Sequence, residues 1–533
     1  MKSLERFEDI CLAMSDPSFY PHAVSRLERR DTHISAVFLT GEWVYKLKKP
    51  VDFGFLDFTK LEARHYFCRR EVSLNQRLSE GVYEGVVEIR KGDSGRLSLG
   101  GNGEVVEYAV KMRQLPDDAV LKELLKAGGI GTTEMELLGR HLAAFYERSS
   151  RSPEIDHYGH PEVIRINMEE NFQQVEPFVD DLVPRERWEF IRQASRAFFQ
   201  YQQSLFDRRI QVGRIRDCHG DLRAEHIYFF EGIQIIDCIE FNERFRYGDV
   251  IADLAFLQMD LEHLGHSGLS RAMLAAYVQR ANDLELYSLI DFYATYRAVV
   301  KVKVACLRST EVDDAESRLA LKEEAFRYLE QAYCYAVQFS RPTLWVFSGL
   351  PATGKSALAR LLADSLSLPL FQSDKLRRGG EGSLPDQPRI VPYDQGIYRG
   401  EMRQLVYGHM LALAHDQLRN GRSVILDASF SRRKWRDQVR QLATDLDTNV
   451  IFLECVSRGE VIRERLRERE EKCNVSDARL LHLPDMIRNF EPLSELKPEI
   501  YIKIETDCAP TDSLATVFSE GYARKCAQVA RIL

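Results

Sequence analysis

The sequence predicts two domains of different class: an α+β domain over residues 1–338 and an α/β domain with a parallel sheet over 342–533. Three observations predict it. The chain has 533 residues, too many for one core at roughly 100–200 residues per domain. Its first third alternates short apolar segments with glycine-containing turns, as antiparallel hairpins do. Beyond Ser340-Arg341-Pro342, strand patterns alternate with helical ones, which implies crossover helices and parallel strands.

The hairpin segments run HISAVFLTGEWVYKLKK and YEGVVEIRKGDSGRLSLGGNGEVVEYAVKMRQL, with one helical stretch near 59–80. In that helix Thr59 and Glu62 have capping-box spacing. Phe67, Glu71, Leu74 and Leu78 follow one another on a single stripe, so Glu71 sits among apolar residues. An ionised Glu there needs a cation. Lys46 shares a strand face with Val44 and is the natural candidate. The middle third is mostly helical, one hairpin near 227–237 excepted, and a long helical run at about 283–338 closes it. Residues 1–115 are expected to form one lobe and 116–338 another.

The most informative N-terminal stretch is Cys218-His219-Gly220-Asp221-Leu222-Arg223-Ala224-Glu225-His226, followed by IYFF-EG-IQIID. If Glu231-Gly232 is a two-residue turn, Phe230 pairs with Ile233 and His226 with Asp237. Opposed side chains stand roughly 5 Å apart. The hairpin therefore brings a His and an Asp together just after the loop bearing Asp221, either as a metal site or as a structural polar corner.

In the C-terminal part, strands are expected at 344–348, 369–373, 423–428, 449–455 and 499–505. The first runs into Gly349-Leu350-Pro351-Ala352-Thr353-Gly354-Lys355-Ser356 and then a helix beginning at Ala357. Strand, glycine-rich loop and helix is the context of a Walker A motif. Backbone N–H groups and the helix N-terminus cradle phosphates. Lys355 reaches the β- and γ-phosphates, and Ser356 offers a hydroxyl to Mg²⁺. Asp427 closes an apolar strand, either as a metal-holding acid or as a helix cap. Asp374 ends the second strand, either as a proton acceptor for a substrate hydroxyl or as a cap. Arg465 and Arg469 share a helix face, suited to clamping phosphates or to solvation alone.

These motifs carry two resemblances. GLPATGKS, SDKLR, VILDASF and the arginine-rich helix resemble the small P-loop kinases that include gluconate kinase, the zeta-toxin group, chloramphenicol phosphotransferase and the 5′-hydroxyl polynucleotide kinases. That resemblance implies Asp374 as the acceptor-activating residue and Arg465 or Arg469 as the arginine on the transferred phosphate. The N-terminal order of strand Lys, helix Glu, H-G-D loop and post-hairpin Asp resembles the aminoglycoside-phosphotransferase branch of the protein-kinase fold. It implies that Lys46 holds the α- and β-phosphates, Glu71 holds Lys46, Asp221 is the catalytic base and Asp237 ligates Mg²⁺. Residues 110–116, with Met112, would be the interlobe hinge that meets adenine. Asp249 and Asp253 match a part of the pattern that looks structural. Two departures stand out. His226 occupies the metal-binding Asn position, although Mg²⁺ prefers oxygen. No glycine-rich loop precedes Lys46, the one candidate being the hairpin LTGEW at 39–43. Together the halves resemble a bacterial fusion of an aminoglycoside-phosphotransferase-like domain and a P-loop kinase.

The implied function is ATP- and Mg²⁺-dependent phosphoryl transfer to a hydroxyl of a small molecule or a nucleic-acid end. A 5′-hydroxyl polynucleotide kinase and a regulator with a pseudokinase N-terminal domain are the alternatives. A net charge of −8 does not point to nucleic acid. No apolar run is long enough for a membrane span, and the N-terminus lacks the pattern of a signal peptide. The ten scattered cysteines, none in CxxC, are expected to be free thiols in a reducing cytoplasm. Acceptor selection is expected from 380–400 and from the helices of 120–210.

Overall fold

The computed structural model describes residues 2–54, 56–379, 400–471 and 479–531. The described chain divides into two compact units, each gathered from three segments. One holds residues 1–185, 199–283 and 293–331; the other holds 186–198, 284–292 and 332–533. Most of the expected acceptor loop 380–400 lies outside the described residues.

The first unit begins with helix α1 (Lys2–Met14) and six strands: β1 (Glu28–Asp31), β2 (Ser35–Leu39), β3 (Trp43–Lys48), β4 (Tyr83–Lys91), β5 (Leu97–Leu99) and β6 (Glu104–Arg113). They form one antiparallel sheet of order β1-β2-β3-β6-β4-β5. Helix α2 (Leu61–Asn75) lies between β3 and β4 in the chain. Both sheet faces are apolar because both are covered. Phe7, Ile10, Cys11 and Met14 of α1 pack with Phe38, Tyr45 and Leu47. Cys68 of α2 packs with Val44, Tyr83, Val110 and Met112. The capping box is not formed. Lys60 is the N-cap, without a side-chain hydrogen bond, because Thr59 turns both its N–H and its hydroxyl to Asp57 Oδ1.

Short strands β7 (Ile215–Asp217), β8 (Ile227–Phe229), β9 (Ile233–Ile235) and β10 (Tyr247–Asp249) follow, then the apolar helix α3 (Val250–His263). The expected run over 283–338 is two helices, α4 (Leu286–Ser309) and α5 (Ala315–Ser340).

In the second unit, β11 (Thr343–Ser348), β12 (Leu370–Gln372), β13 (Val424–Asp427), β14 (Asn449–Val456) and β15 (Tyr501–Glu505) form a parallel sheet of order β12-β13-β11-β14-β15. Its three inner strands, β11, β13 and β14, are mostly apolar and almost wholly buried because helices cover both faces, while the edge strand β15 alternates buried and exposed residues. The helices of this unit include α6 (Lys355–Leu366), α7 (Ser373–Gly379), α8 (Gly400–Arg419), α9 (Arg433–Asp445), α10 (Gly459–Glu471), whose Ile462 and Leu466 pack on Ala352, and α11 (Pro510–Val529). Met410, Trp435 and Val439 pack on one side, and Leu358, Leu362, Val517 and Phe518 on the other. No described helix is long and apolar enough to cross a membrane.

Candidate functional site

Lys46, Glu71 and Asp237 meet in the first unit. Lys46 Nζ lies 2.9 Å from Glu71 Oε1 and 2.6 Å from Asp237 Oδ1. Burial opposes the charge on Lys46, but Asp237 and Glu71 outweigh it and raise its pKa well above the usual range. Burial likewise opposes ionisation of Asp237, yet Lys46 and His226 hold its carboxyl far below the ordinary value. A second lysine went unread in the sequence. Lys48, fully buried, lies 2.7 Å from Glu71 Oε2 and also pairs with Glu240. The i, i+2 parity of a strand, which put Lys46 with Val44, also puts Lys48 on that face. Burial wins at Glu240, whose pKa is raised.

The hairpin after the H-G-D loop differs from its expected register. Ile227 pairs with Ile235 and Phe229 with Ile233, so Phe230-Glu231-Gly232 is a three-residue loop. Glu231 (φ 50°) and Gly232 (φ 103°) are both left-handed, which adds the extra residue. His226 is therefore not paired with Asp237; its carbonyl accepts from Ile236 N–H. The two side chains still approach, Nε2 to Oδ2 at 3.7 Å, because His226 precedes β8 in a 3-10 turn and Asp237 bends back at φ 66°.

Both Asp221 oxygens accept from Arg223, at 3.0 and 2.9 Å. Burial pushes the Asp221 pKa up, but Arg223 and His226 outweigh it and the net shift is downward. The loop itself is held from below. Asp253 accepts from His219 N–H (2.6 Å) and Gly220 N–H (2.9 Å), and Asp260 from Ala224 N–H (2.8 Å). Asp249 caps α3 through Ile251 N–H and is gripped by Arg209. Asp249 and Asp253 are thus structural. Arg77, just past α2, donates to the carbonyls of Asp217 and Cys218, and Asn75 accepts from Cys238 N–H. The helix that carries Glu71 is tied directly to the strand that enters the H-G-D loop.

Met112 lies in β6, buried with Leu39, Val44 and Leu115, and Tyr228, Phe230 and Ile236 pack against that cluster. The LTGEW hairpin is displaced from the role considered for it. Gly41 N–H donates to Gln114 Oε1, which fixes that turn beside the C-terminal end of β6. The opposite end, beside Lys48 (paired with Ser35), carries the β1–β2 turn Thr32-His33-Ile34, which has no glycine.

In the second unit, the loop after β11 turns through left-handed Gly349 (φ 140°), Ala352 (φ 64°) and Gly354 (φ 83°). A Cβ on Gly349 would stand 2.5 Å from the Cys455 carbonyl oxygen, so the loop admits no side chain there. Thr353 Oγ1 donates to Leu350 O at 2.8 Å, and Lys355 Nζ curls back to the same carbonyl at 3.4 Å. Pro351 lies within this loop, and Ser356 and Ala357 lie in the first turn of α6. Arg465 donates to the carbonyls of Ala352 (3.2 Å) and Thr506 (2.9 Å) and so braces the loop. Arg469 is half-buried. Burial lowers its pKa, Asp374 opposes that shift, and Arg465 and Arg360 add to it.

Asp427 ends β13, beside Phe347 of β11 and Gln372 of β12. It is buried, Oδ2 accepts from Gln372 Nε2 at 2.8 Å, and Oδ1 has no hydrogen-bond partner. A buried carboxylate oxygen left without a donor is costly. A hydrated cation next to the phosphate loop would satisfy it, so Asp427 with the Ser356 hydroxyl fits Mg²⁺. Asp374 lies one residue into α7 rather than on the strand, with Arg377 2.8 Å from Oδ1. Gln372, missed in the sequence, sits at the strand end next to Asp427 and orients it.

A family model described as an AAA domain matches residues 344–493. An uncharacterized protein of Mycobacterium tuberculosis (strain ATCC 25618 / H37Rv) is 32% identical over 443 residues, covering 83% of this chain and 86% of that protein. Among solved structures, a choline/ethanolamine kinase family protein from Mesorhizobium loti is 13% identical, with 62% of this chain and 99% of that chain covered at a TM-score of 0.37. A gluconokinase from Sinorhizobium meliloti is 19% identical, with 36% and 93% covered at 0.23.

Proposed function

The chain belongs to the family of the uncharacterized mycobacterial protein Rv2004c, and on that premise we propose that it is an ATP-using phosphotransferase with two nucleotide sites, at least the C-terminal one transferring the γ-phosphoryl group to a hydroxyl. The 443 aligned residues cannot fit on either side of Pro342 alone, which supports the pairing of both modules as a property of the family. The boundary between the two domains would run at about 338–342, where α5 ends at Ser340 and β11 begins at Thr343.

The observation that carries the reading is the unpartnered Oδ1 of buried Asp427 at the mouth of the phosphate loop. In this reading the loop N–H groups and Lys355 bind the β- and γ-phosphates. Mg²⁺, when bound, neutralises charge developing on those phosphates. Asp374 accepts the proton of the acceptor hydroxyl, and Arg469 leans toward the transferred group. At the N-terminal site Lys46, set by Glu71, holds phosphates, and Asp221 is the base. The acceptor would be a sugar, a metabolite or a nucleic-acid end.

One observation favours a second reading, in which the N-terminal domain is a regulator. Both oxygens of Asp221 are occupied by Arg223. A screen with γ-labelled ATP and Mg²⁺ over sugars, nucleosides, aminoglycosides and 5′-hydroxyl oligonucleotides separates the two. Label lost in Lys355→Ala and kept in Asp221→Asn supports C-terminal transfer with a regulatory N-terminal domain. Label lost in Asp221→Asn and kept in Lys355→Ala gives the chemistry to the N-terminal site. No transfer by the wild type, with ATP still bound, overturns the phosphotransferase reading.

A further inference from the structure

Next to Cys218, where the chain enters the H-G-D loop, the first unit holds a small cavity of about 50 Å³. It lies between the helix Pro161–Val175, the segment 244–249, the start of α3 and the middle of α4, and Arg244, Arg246 and Arg297 line it. No residue of the Lys46–Glu71–Asp237 cluster lines it. The three guanidiniums are only partly used. Arg246 is 1% exposed. Its Nε lies 2.6 Å from Asp217 Oδ1, its Nη1 donates to Ile239 O at 2.9 Å, and its plane stands 5.0 Å from the Tyr247 ring centre. Among the described residues its Nη2 has no hydrogen-bond partner. Arg244 gives both Nη groups to Glu170, and its buried Nε has no partner among the described residues. Arg297, 8% exposed, donates from Nε to Ala252 O at 3.1 Å and stands against the Phe256 and Tyr296 rings. Its Nη2 has Asp253 Oδ1 at 3.9 Å, too far for a hydrogen bond.

The carboxylates that line the cavity are already committed. Both Asp249 oxygens take Arg209, and Asp253 takes His219 N–H and Gly220 N–H. What the wall has left over is N–H without an acceptor, and a buried donor left unmade is costly. Asn167, whose Oδ1 also lacks a partner, can turn its amide to add a donor. A guanidinium fork matches two oxygens of one oxyanion, which water cannot offer. The space holds about three waters or one tetrahedral oxyanion.

We propose that this cavity is an oxyanion site that takes one phosphate group, free or at the end of a small ester, on Arg244, Arg246 and Arg297. Arg246 joins Asp217, before the H-G-D loop, to Ile239, just past Asp237. A filled cavity therefore fastens the two segments that flank the candidate N-terminal site. The site stands whether or not the first unit turns over ATP.

The direct test is crystals of the full chain soaked in selenate, a tetrahedral dianion with an anomalous signal. The expected result is a selenium peak in the cavity with an oxygen about 3 Å from Arg246 Nη2. Water alone in the cavity overturns the proposal, whether or not the phosphate loop of the second unit has taken up the ion. In solution, inorganic phosphate is titrated into the Lys355→Ala chain, whose own phosphate loop is weakened. Saturable binding is expected, and Arg244→Met should weaken it about tenfold or more. Arg244 is 33% exposed and its ion pair is with a Glu that is 42% exposed, so this variant leaves the buried Arg246–Asp217 pair intact. An affinity for phosphate that Arg244→Met leaves unchanged overturns the assignment. Displacement of phosphate by glycerol 3-phosphate would give the site to an esterified phosphate, and its failure to displace would give the site to the free ion.

Discussion

Lys48 Nζ lies 2.7 Å from Glu71 Oε2, the carboxylate oxygen that Lys46 does not use. One buried Glu thus serves two lysines, and the deeper of them also holds Glu240. Removing one member of a buried ion pair costs about 3–5 kcal/mol, because its partner stays buried and uncompensated. Lys48→Met is expected to cost that much in urea unfolding. Adding Glu240→Leu is expected to restore a large part of the loss, since the stranded carboxylate is then gone. A single-variant loss below about 1 kcal/mol would mean that Glu240 simply takes up a proton, the direction in which burial already pushes it.

Arg77 makes the second prediction. Its guanidinium donates to Asp217 O and Cys218 O at 3.0 Å each and lies over the Phe145 ring. The helix of Glu71 and the strand entering the H-G-D loop are therefore one mechanical element. In Arg77→Met both carbonyls lose the guanidinium, leaving Cys218 O only the weak Cys238 Sγ donor, and a buried polar group left unsatisfied costs about 1–3 kcal/mol. Amide hydrogen exchange is expected to rise in residues 217–220 and 235–238 and to stay unchanged in β1 and β2. Uniform acceleration across the sheet would instead indicate global destabilisation.

What the sequence revealed follows a physical pattern. Elements with a periodic apolar signal were legible: β11, β13 and β14 because burial on both faces leaves an almost unbroken apolar run, and β15 because its apolar residues alternate with exposed ones. The Lys46–Glu71 pair was legible because an ionised Glu in an apolar stripe demands a partner. The hairpin register was not. Glu231-Gly232 looks like a two-residue turn, and nothing local tells that Phe230 joins the loop. Arg223, Arg77 and Gln372 escaped because their partners are backbone carbonyls or carboxylates distant in sequence or fixed by loop geometry. The LTGEW glycine misled for a related reason: a turn's sequence does not say at which end of a sheet it falls.

His219 gives a pH prediction. It is fully buried, and burial first, then the neighbouring His226, pushes its imidazole down to about 3, against the opposing pull of Asp221 and Asp237. Its Nε2 lies 3.0 Å from Ile236 O, and its Nδ1 faces Asp221 N–H, which is the pattern of a neutral ring. Because the folded pKa is depressed from 6.5, the unfolded chain binds the extra proton between pH 6.5 and about 3. Stability from this residue is complete above pH 6.5 and falls by about 1.4 kcal/mol per pH unit below it. Buried carboxyls with raised pKa values, Asp253 and Glu240, act in the opposite sense, so the wild-type slope alone does not isolate the ring. The difference does. Between pH 7 and pH 5, His219→Gln is expected to lose about 2 kcal/mol less than the wild type in urea unfolding. Equal losses would mean that the ring is protonated without cost.

Asp427 sets stability against ligand binding. Its Oδ1 is buried with no donor, while Oδ2 takes Gln372. In the absence of nucleotide this is a stored penalty, since a buried, unsatisfied charged oxygen costs about 1–3 kcal/mol or more. Asp427→Asn removes the charge at nearly constant volume. It is expected to raise the thermal midpoint of the nucleotide-free protein, by an amount equivalent to about 1 kcal/mol, as relief of a strained functional site commonly does. The same change removes the oxygen suited to Mg²⁺ or its water. The extra stabilisation that Mg²⁺ and ATP together give over ATP alone should then disappear, because linkage adds stability only for a ligand that binds the folded state more tightly. Scanning calorimetry of both proteins with no ligand, with ATP, and with ATP and Mg²⁺ reads all of this at once. A variant that melts lower without ligand would show Asp427 to be a structural strand end. A variant that melts higher yet still responds to Mg²⁺ would move the metal to Ser356 and the phosphates alone.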